Sequence, residues 1–175
     1  TMRLIEFLFP CQCVVCSKVG EYICPKCIKG IPHCLPICCV CNKLSNKGLT
    51  HSFCSNINIT YFTGWYISEK MSKIFDQKKE KGNFNIHLRL FTTLLNYLKI
   101  YDLIKECHVY PLPSKDINTY KLNRILSKKI AGKRKSQNII FIGDSLEDIE
   151  EIQKLIRGLP YSPLNIYILC LFIKK

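Results

Sequence analysis

NIIFIGDSLED, residues 138–148, opens as an unbroken apolar run and closes in glycine, serine and acids. An apolar run without polar alternation, bounded by a basic loop and an acidic turn, reads as a strand over 138–142 covered on both faces. Strands of that kind lie inside parallel sheets. The flanks agree. Upstream, Leu122, Ile125, Leu126 and Ile130 recur at helical spacing over 117–131, with Gly132 placed as a C-cap, and the basic loop GKRKSQ (132–137) leads into the strand. Before that helix, CHVYPL (107–112) is a short strand stopped by Pro113. Downstream, Leu146, Ile149, Ile152, Leu155 and Ile156 mark a helix ended by Gly158, and 165–173 is a last apolar strand. Strand, helix, strand, helix, strand with short connections predicts a βαβαβ parallel sheet. Ligands of such sheets bind beyond the carboxyl ends of the strands, here YPLPS (110–114) and IGDSLED (142–148).

Further upstream, Phe84, Leu88, Phe91, Leu94, Leu95 and Leu98 define an amphipathic helix over 84–98, and Met71, Ile74 and Phe75 a second over 68–79. The β-branched and aromatic segment INITYFTGWY (57–66) reads as a strand or hairpin.

Residues 1–56 are of another kind. Ten of the twelve cysteines lie in the first fifty-four positions, and prolines and glycines replace apolar periodicity. Cys13-x-x-Cys16, Cys24-x-x-Cys27, Cys38-x-x-Cys41 and His51-x-x-Cys54 form four pairs. A two-residue gap lets both members of a pair close on one ion, and two pairs complete the tetrahedral shell of structural zinc. The expectation is two zinc sites, Cys13/Cys16/Cys24/Cys27 and Cys38/Cys41/His51/Cys54, with Cys34 and Cys39 as competitors for the second. A site with four protein ligands has no open position, so neither should be catalytic. Cys11 reads as a spare thiol, and Cys107 and Cys170, in apolar runs, as buried free thiols. The domain division is 1–56 and 57–175.

Hydrophobic residues make up 47% of the chain, normal for a globular protein, which argues against disorder. No segment reads as a signal peptide, and the longest apolar run, 167–173, falls well short of a membrane span. A reducing cytoplasm, where thiols stay available for metal, is the expected compartment. Lys and Arg number 26 against 13 Asp and Glu, a formal charge of +13 that seven zinc-bound thiolates and two zinc ions would bring to about +10. That balance favours a polyanionic partner, nucleic acid or a phosphate-bearing small molecule. The basic segments KKEK (78–81), Lys128–Lys129 and KRK (133–135) are candidate phosphate contacts, and Tyr61, Phe62, Trp65 and Tyr66 candidate stacking platforms for unpaired bases.

LFP ahead of the cysteines, two paired zinc sites, an aromatic-rich strand, a Lys-Gly turn, YPLP before a helix and the acidic turn at 138–144 together resemble the ComF family. The resemblance implies an α/β fold: an N-terminal double zinc ribbon followed by a reduced parallel-sheet type I phosphoribosyltransferase-like domain. It also implies a role in natural competence, handling incoming single-stranded DNA, with a competence helicase or other uptake proteins as partners. In the family, two acids after the buried strand hold the ribose hydroxyls of phosphoribosyl pyrophosphate (PRPP). A Thr-Thr-Gly and a further Thr then cradle its 5′-phosphate, with Mg²⁺ as cofactor.

This chain has Gly143 at the first acid and keeps Asp144 at the second, beside Ser145, so Asp144 and Ser145 are the residues left to contact PRPP. Glu147 and Asp148 stand where the threonines belong, Ile149 where the glycine belongs and Glu151 at the last threonine. Like charges about 4 Å apart repel by roughly 4 kcal/mol at an effective dielectric near 20, so acids at this loop oppose a phosphate. The same acids suit a helix start, with Asp144 or Ser145 as N-cap. The Arg-Gly pair that follows the proline-bounded strand in the family is also absent, with Tyr120 standing for its aromatic. The expectation is a binding factor without transferase chemistry; the alternative is a transferase that uses Asp144, Mg²⁺ and PRPP. FIGDSLEDI is also similar to the magnesium motif of haloacid-dehalogenase phosphatases, through Asp144 and Asp148, but that chemistry needs an Asp-x-Asp nucleophile and the sequence has none.

Overall fold

The computed structural model describes residues 10–130, 136–146, 149–159 and 162–174. The elements are α1 (Pro25–Gly30), a 3-10 turn at Asn46–Gly48, β1 (Ile59–Ile67), α2 (Glu69–Glu80), α3 (Asn85–Leu98), α4 (Tyr101–Lys105), β2 (His108–Pro111), α5 (Ile117–Lys128), β3 (Asn138–Ser145), α6 (Ile149–Arg157) and β4 (Asn165–Lys174).

The four strands form one sheet in the order β1-β4-β3-β2, and all three pairings are parallel. β3 pairs on both sides, Ile139 with Ile166 of β4 and with His108 of β2, and its apolar run is buried as a central parallel strand requires. Two apolar clusters divide its side chains. Ile140 and Ile142 pack with Leu169, Leu171, Trp65 and the helical residues Phe75, Leu90, Phe91, Leu94, Ile104, Leu122 and Leu126. Ile139 and Phe141 pack with Ile59, Tyr61, Ile168, Cys170 and with Ile152 and Ile156 of α6.

β1 is a single strand rather than a hairpin. It lies parallel to β4 through Ile59–Ile166 and Tyr61–Ile168, so the sheet gains a fourth strand from ahead of the βαβαβ unit. Its outer edge is covered by the cysteine-rich chain. Tyr66 donates its N–H to Pro32 O, Cys34 N–H to Gly64 O, and Thr50 N–H to Ile59 O. Covering an edge in this way removes a template for unwanted pairing.

β3 runs through Ser145, three residues beyond the sequence expectation, and α6 begins at Ile149. Asp144 and Ser145 are therefore strand residues, not caps of the following helix. Among the described residues, the side-chain caps that form are Ser68, which accepts from Met71 N–H, and Asp116, which accepts from Thr119 N–H at 2.7 Å. The proposed Gly132 cap, the basic residues 133–135 and the acids Glu147 and Asp148 lie outside the described residues.

The cysteine-rich segment does not rest on metal alone. Ile23, Ile28 and Ile31 are buried in the same cluster as Trp65 and the α3 leucines. Cys107 and Cys170 are fully buried free thiols; Cys107 donates to Leu103 O at 3.2 Å. Among the described residues, no helix is long and apolar enough to cross a membrane.

Candidate metal centres and the carboxyl edge of the sheet

The first Cys-x-x-Cys pair lies on a tight turn and the second at the start of α1. Cys24 precedes Pro25 at N1 and Cys27 follows one turn later, so the rigid start of a proline-led helix sets the second pair. Cys13, Cys16, Cys24 and Cys27 bring their Sγ atoms within 4.8 Å of one another. The Cys16–Cys24 Sγ separation is 3.7 Å, and sulfurs at about 2.3 Å from a tetrahedral zinc stand about 3.8 Å apart. Cys38, Cys41, His51 and Cys54 form an equally tight second group. His51 points Nδ1 at Cys41 Sγ (3.4 Å) and Cys54 Sγ (3.8 Å), while Nε2 lies 3.1 Å from Leu44 O. Nε2–H donating to that carbonyl leaves Nδ1 bare for a metal, the outer support that metal-bound histidines usually have. The chain therefore holds two four-ligand Cys/His sites whose geometry suits zinc.

The thiols show why a cation belongs there. Burial works to raise Cys13, but backbone N–H groups of Cys24, Cys16 and Val15 outweigh it and hold the thiol at about 6. Cys38 is likewise held at about 6 against its burial, by N–H groups of Cys41, His51 and Val40. One other thiol of each site moves the other way: the Cys24 sulfur pushes Cys27 up to about 12, and burial with the neighbouring thiols pushes Cys54 up to about 11. Each site thus ionises part of its sulfur readily and resists ionising the rest, the imbalance a dication removes. Cys39 is no ligand. It is 5% exposed, packs with Tyr61 and Phe141, and burial followed by the charge of Cys38 pushes it up to about 12. Cys34 is half-buried against β1.

The carboxyl edge of the sheet brings together residues that sequence spacing does not connect. Asp144 is 2% exposed. Its Oδ2 lies 3.2 Å from Lys79 Nζ, and that ammonium also reaches Asp76 Oδ1 at 3.1 Å. His87 Nε2 stands 3.8 Å from Asp144 Oδ1, its ring edge-on to Phe75 and Phe172. Burial acts to lower Lys79, but the Asp144 and Asp76 carboxylates outweigh it and hold the amine above its ordinary value. Asn123 joins the strand ends, giving Nδ2–H to Leu112 O and taking Asp144 N–H on Oδ1, each at 2.9 Å. Lys79, read from sequence as part of a phosphate-contacting run, is instead an internal counter-ion.

Gly143 is fixed by the same packing. A Cβ there would stand 2.6 Å and 2.7 Å from Leu112 side-chain atoms and 3.0 Å from Asn123 Cγ. Ser145 is buried beside a cavity of about 350 Å³ that the ends of β3 and β4 share with Cys39, Val40 and Asn42. None of its described lining residues is basic.

Of the four aromatics singled out as stacking platforms, Tyr61 and Trp65 are buried at 5% and 0% exposure, and Phe62 and Tyr66 are half-buried. Sequence reasoning passed over Phe53. It is 81% exposed and stacked on the His51 ring, with centroids 4.9 Å apart and planes 7° from parallel. Its place inside the His51-x-x-Cys54 pair was the available signal. No known protein family, curated protein or solved structure matches the chain.

Proposed function

We propose that the protein is a ComF-like factor of natural competence that handles single-stranded DNA through its cysteine-rich lobes, and that its sheet domain is a scaffold without transferase chemistry. The loss of transferase chemistry rests on one observation: Asp144, the acid left to hold a ribose, is buried and neutralised by Lys79. Gly143 supports the same reading, because Leu112 and Asn123 fill the space in which the missing first acid would stand. The adjoining cavity offers no described basic side chain to a diphosphate.

The DNA-handling part is supported by the charge of +13 and by its distribution. No Asp or Glu occurs between Glu21 and Glu69, a span that holds Lys26, Lys29, Lys43 and Lys47, so the metal-bound thiolates carry its only formal negative charge. A partner chosen by such a surface is a polyanion, bound with a strong dependence on salt.

Calorimetric titration with PRPP and Mg²⁺ is expected to show no binding. Tight binding that D144N abolishes would establish the alternative, a working transferase. Fluorescence anisotropy with labelled dT15 across a salt series is expected to show affinity falling steeply as salt rises. Undetectable affinity at low salt would remove the DNA-handling reading.

A further inference from the structure

The second metal site presents an aromatic surface with no internal use. The Phe53 ring covers one face of His51 and leaves its own outer face to solvent. His51 is held at both nitrogens, Nδ1 among the sulfurs and Nε2 at the Leu44 carbonyl, so the ring beneath Phe53 cannot swing away. Leu44, 67% exposed, borders the same lobe. Lys43 and Lys47 are exposed on the loop between the ligand pairs, and that loop contains no acid.

We infer that Phe53 is a stacking platform for an unpaired base of a single-stranded nucleic acid, with Lys43 and Lys47 contacting the adjoining phosphates. The inference rests on the proposed polyanion-binding role and assigns it a residue. A flat ring pre-set in one orientation loses little conformational freedom when a base settles on it. Base–aromatic stacking is indifferent to sequence, because every base has a π face, and flanking cations supply the rest of the affinity. An apolar protein partner fits less well, since Phe53 lines none of the described cavities and the loop between the ligand pairs carries Lys43 and Lys47 without an acid. The wider apolar groove, about 1010 Å³, lies elsewhere, beside Cys16, Cys24 and Cys27.

The test uses the zinc-loaded full chain with fluorescein-labelled dT15 and U15 at low salt, comparing wild type, Phe53→Ala, Phe53→Trp and Lys43→Glu/Lys47→Glu. Photo-crosslinking to a 15-mer carrying 5-iodo-deoxyuridine then maps the contact by mass spectrometry. Phe53→Ala is expected to weaken binding about five- to a hundred-fold, Phe53→Trp to keep it, and the crosslink to fall on Phe53. The Glu pair is expected to weaken binding and flatten its salt dependence. Preference for dT15 or U15 separates DNA from RNA. Wild-type binding that Phe53→Ala leaves intact, or a crosslink outside the 38–54 lobe, would overturn the platform while leaving nucleic-acid binding in place. Absence of binding by the wild type would overturn both.

Discussion

The carboxyl edge of the sheet and the second metal site hold comparable chemical inventories, yet they spend them in opposite ways. At the edge, Asp144, Lys79, His87 and Asp76 converge where ligands of parallel sheets bind, but Lys79 bridges both carboxylates, and Asp144, Lys79 and His87 are buried. At the candidate metal site, the clustered groups are cysteines and one histidine, while a phenylalanine and two lysines are exposed, and among the described residues no carboxylate pairs with either lysine. The lesson is that a chemically suggestive set of residues is a site only where its charge and aromatic surface remain available to something else.

The largest expected effect separates the two metal sites from each other. Structural zinc contributes on the order of 10 kcal/mol to small folds, so chelation should destabilise the whole protein. Cys24→Ser should melt the main core, because Cys24 is buried in the same cluster as Ile23, Trp65 and Leu90. Cys54→Ser, at a half-buried ligand outside both core clusters, should lower the thermal midpoint less and loosen mainly 38–54. Equal losses in circular-dichroism melts would show that both lobes are equally fused to the core.

A smaller effect probes the buried Asp144–Lys79 pair. Lys79→Met leaves a carboxylate buried without its counter-charge and should cost about 3–5 kcal/mol in urea unfolding. Adding Asp144→Asn should recover most of that loss, since an uncharged pair needs no counter-ion. A loss below about 1 kcal/mol for Lys79→Met would show that water reaches Asp144, and the contrast between edge and lobe would fail.

The smallest concerns the cap of α5. The Thr119 side chain and backbone N–H, in that order, hold the Asp116 carboxyl below its ordinary range. A depressed carboxyl contributes stability above its unfolded value, and that stability is lost as pH falls through the folded one. Asp116→Ala should cost about 1 kcal/mol near neutral pH and little in strong acid. A cost independent of pH would show that the hydrogen bond is not what stabilises the helix start.

The parts of the fold legible in the sequence are those fixed by local spacing. The helix at Asn85–Leu98 and the strands at 138 and 165 follow from which positions are apolar. The metal ligands follow from pairs set two residues apart. What escaped is tertiary. β1 joins β4 across about a hundred residues, and no local pattern announces that partner. Lys79 sits in a run of charges that looks solvated, and only the approach of β3 turns it inward. Phe53 and Trp65 are both aromatic by sequence, and only the fold exposes one and buries the other.

Hydrogen–deuterium exchange of the zinc-loaded protein, with and without dT15, reads both regions in one measurement. Slowed exchange is expected across 38–54 and unchanged exchange at 142–146. Protection at 142–146 with none across 38–54 would contradict it, because the nucleic acid would then be held at the sheet's carboxyl edge and the metal lobe would be structural only.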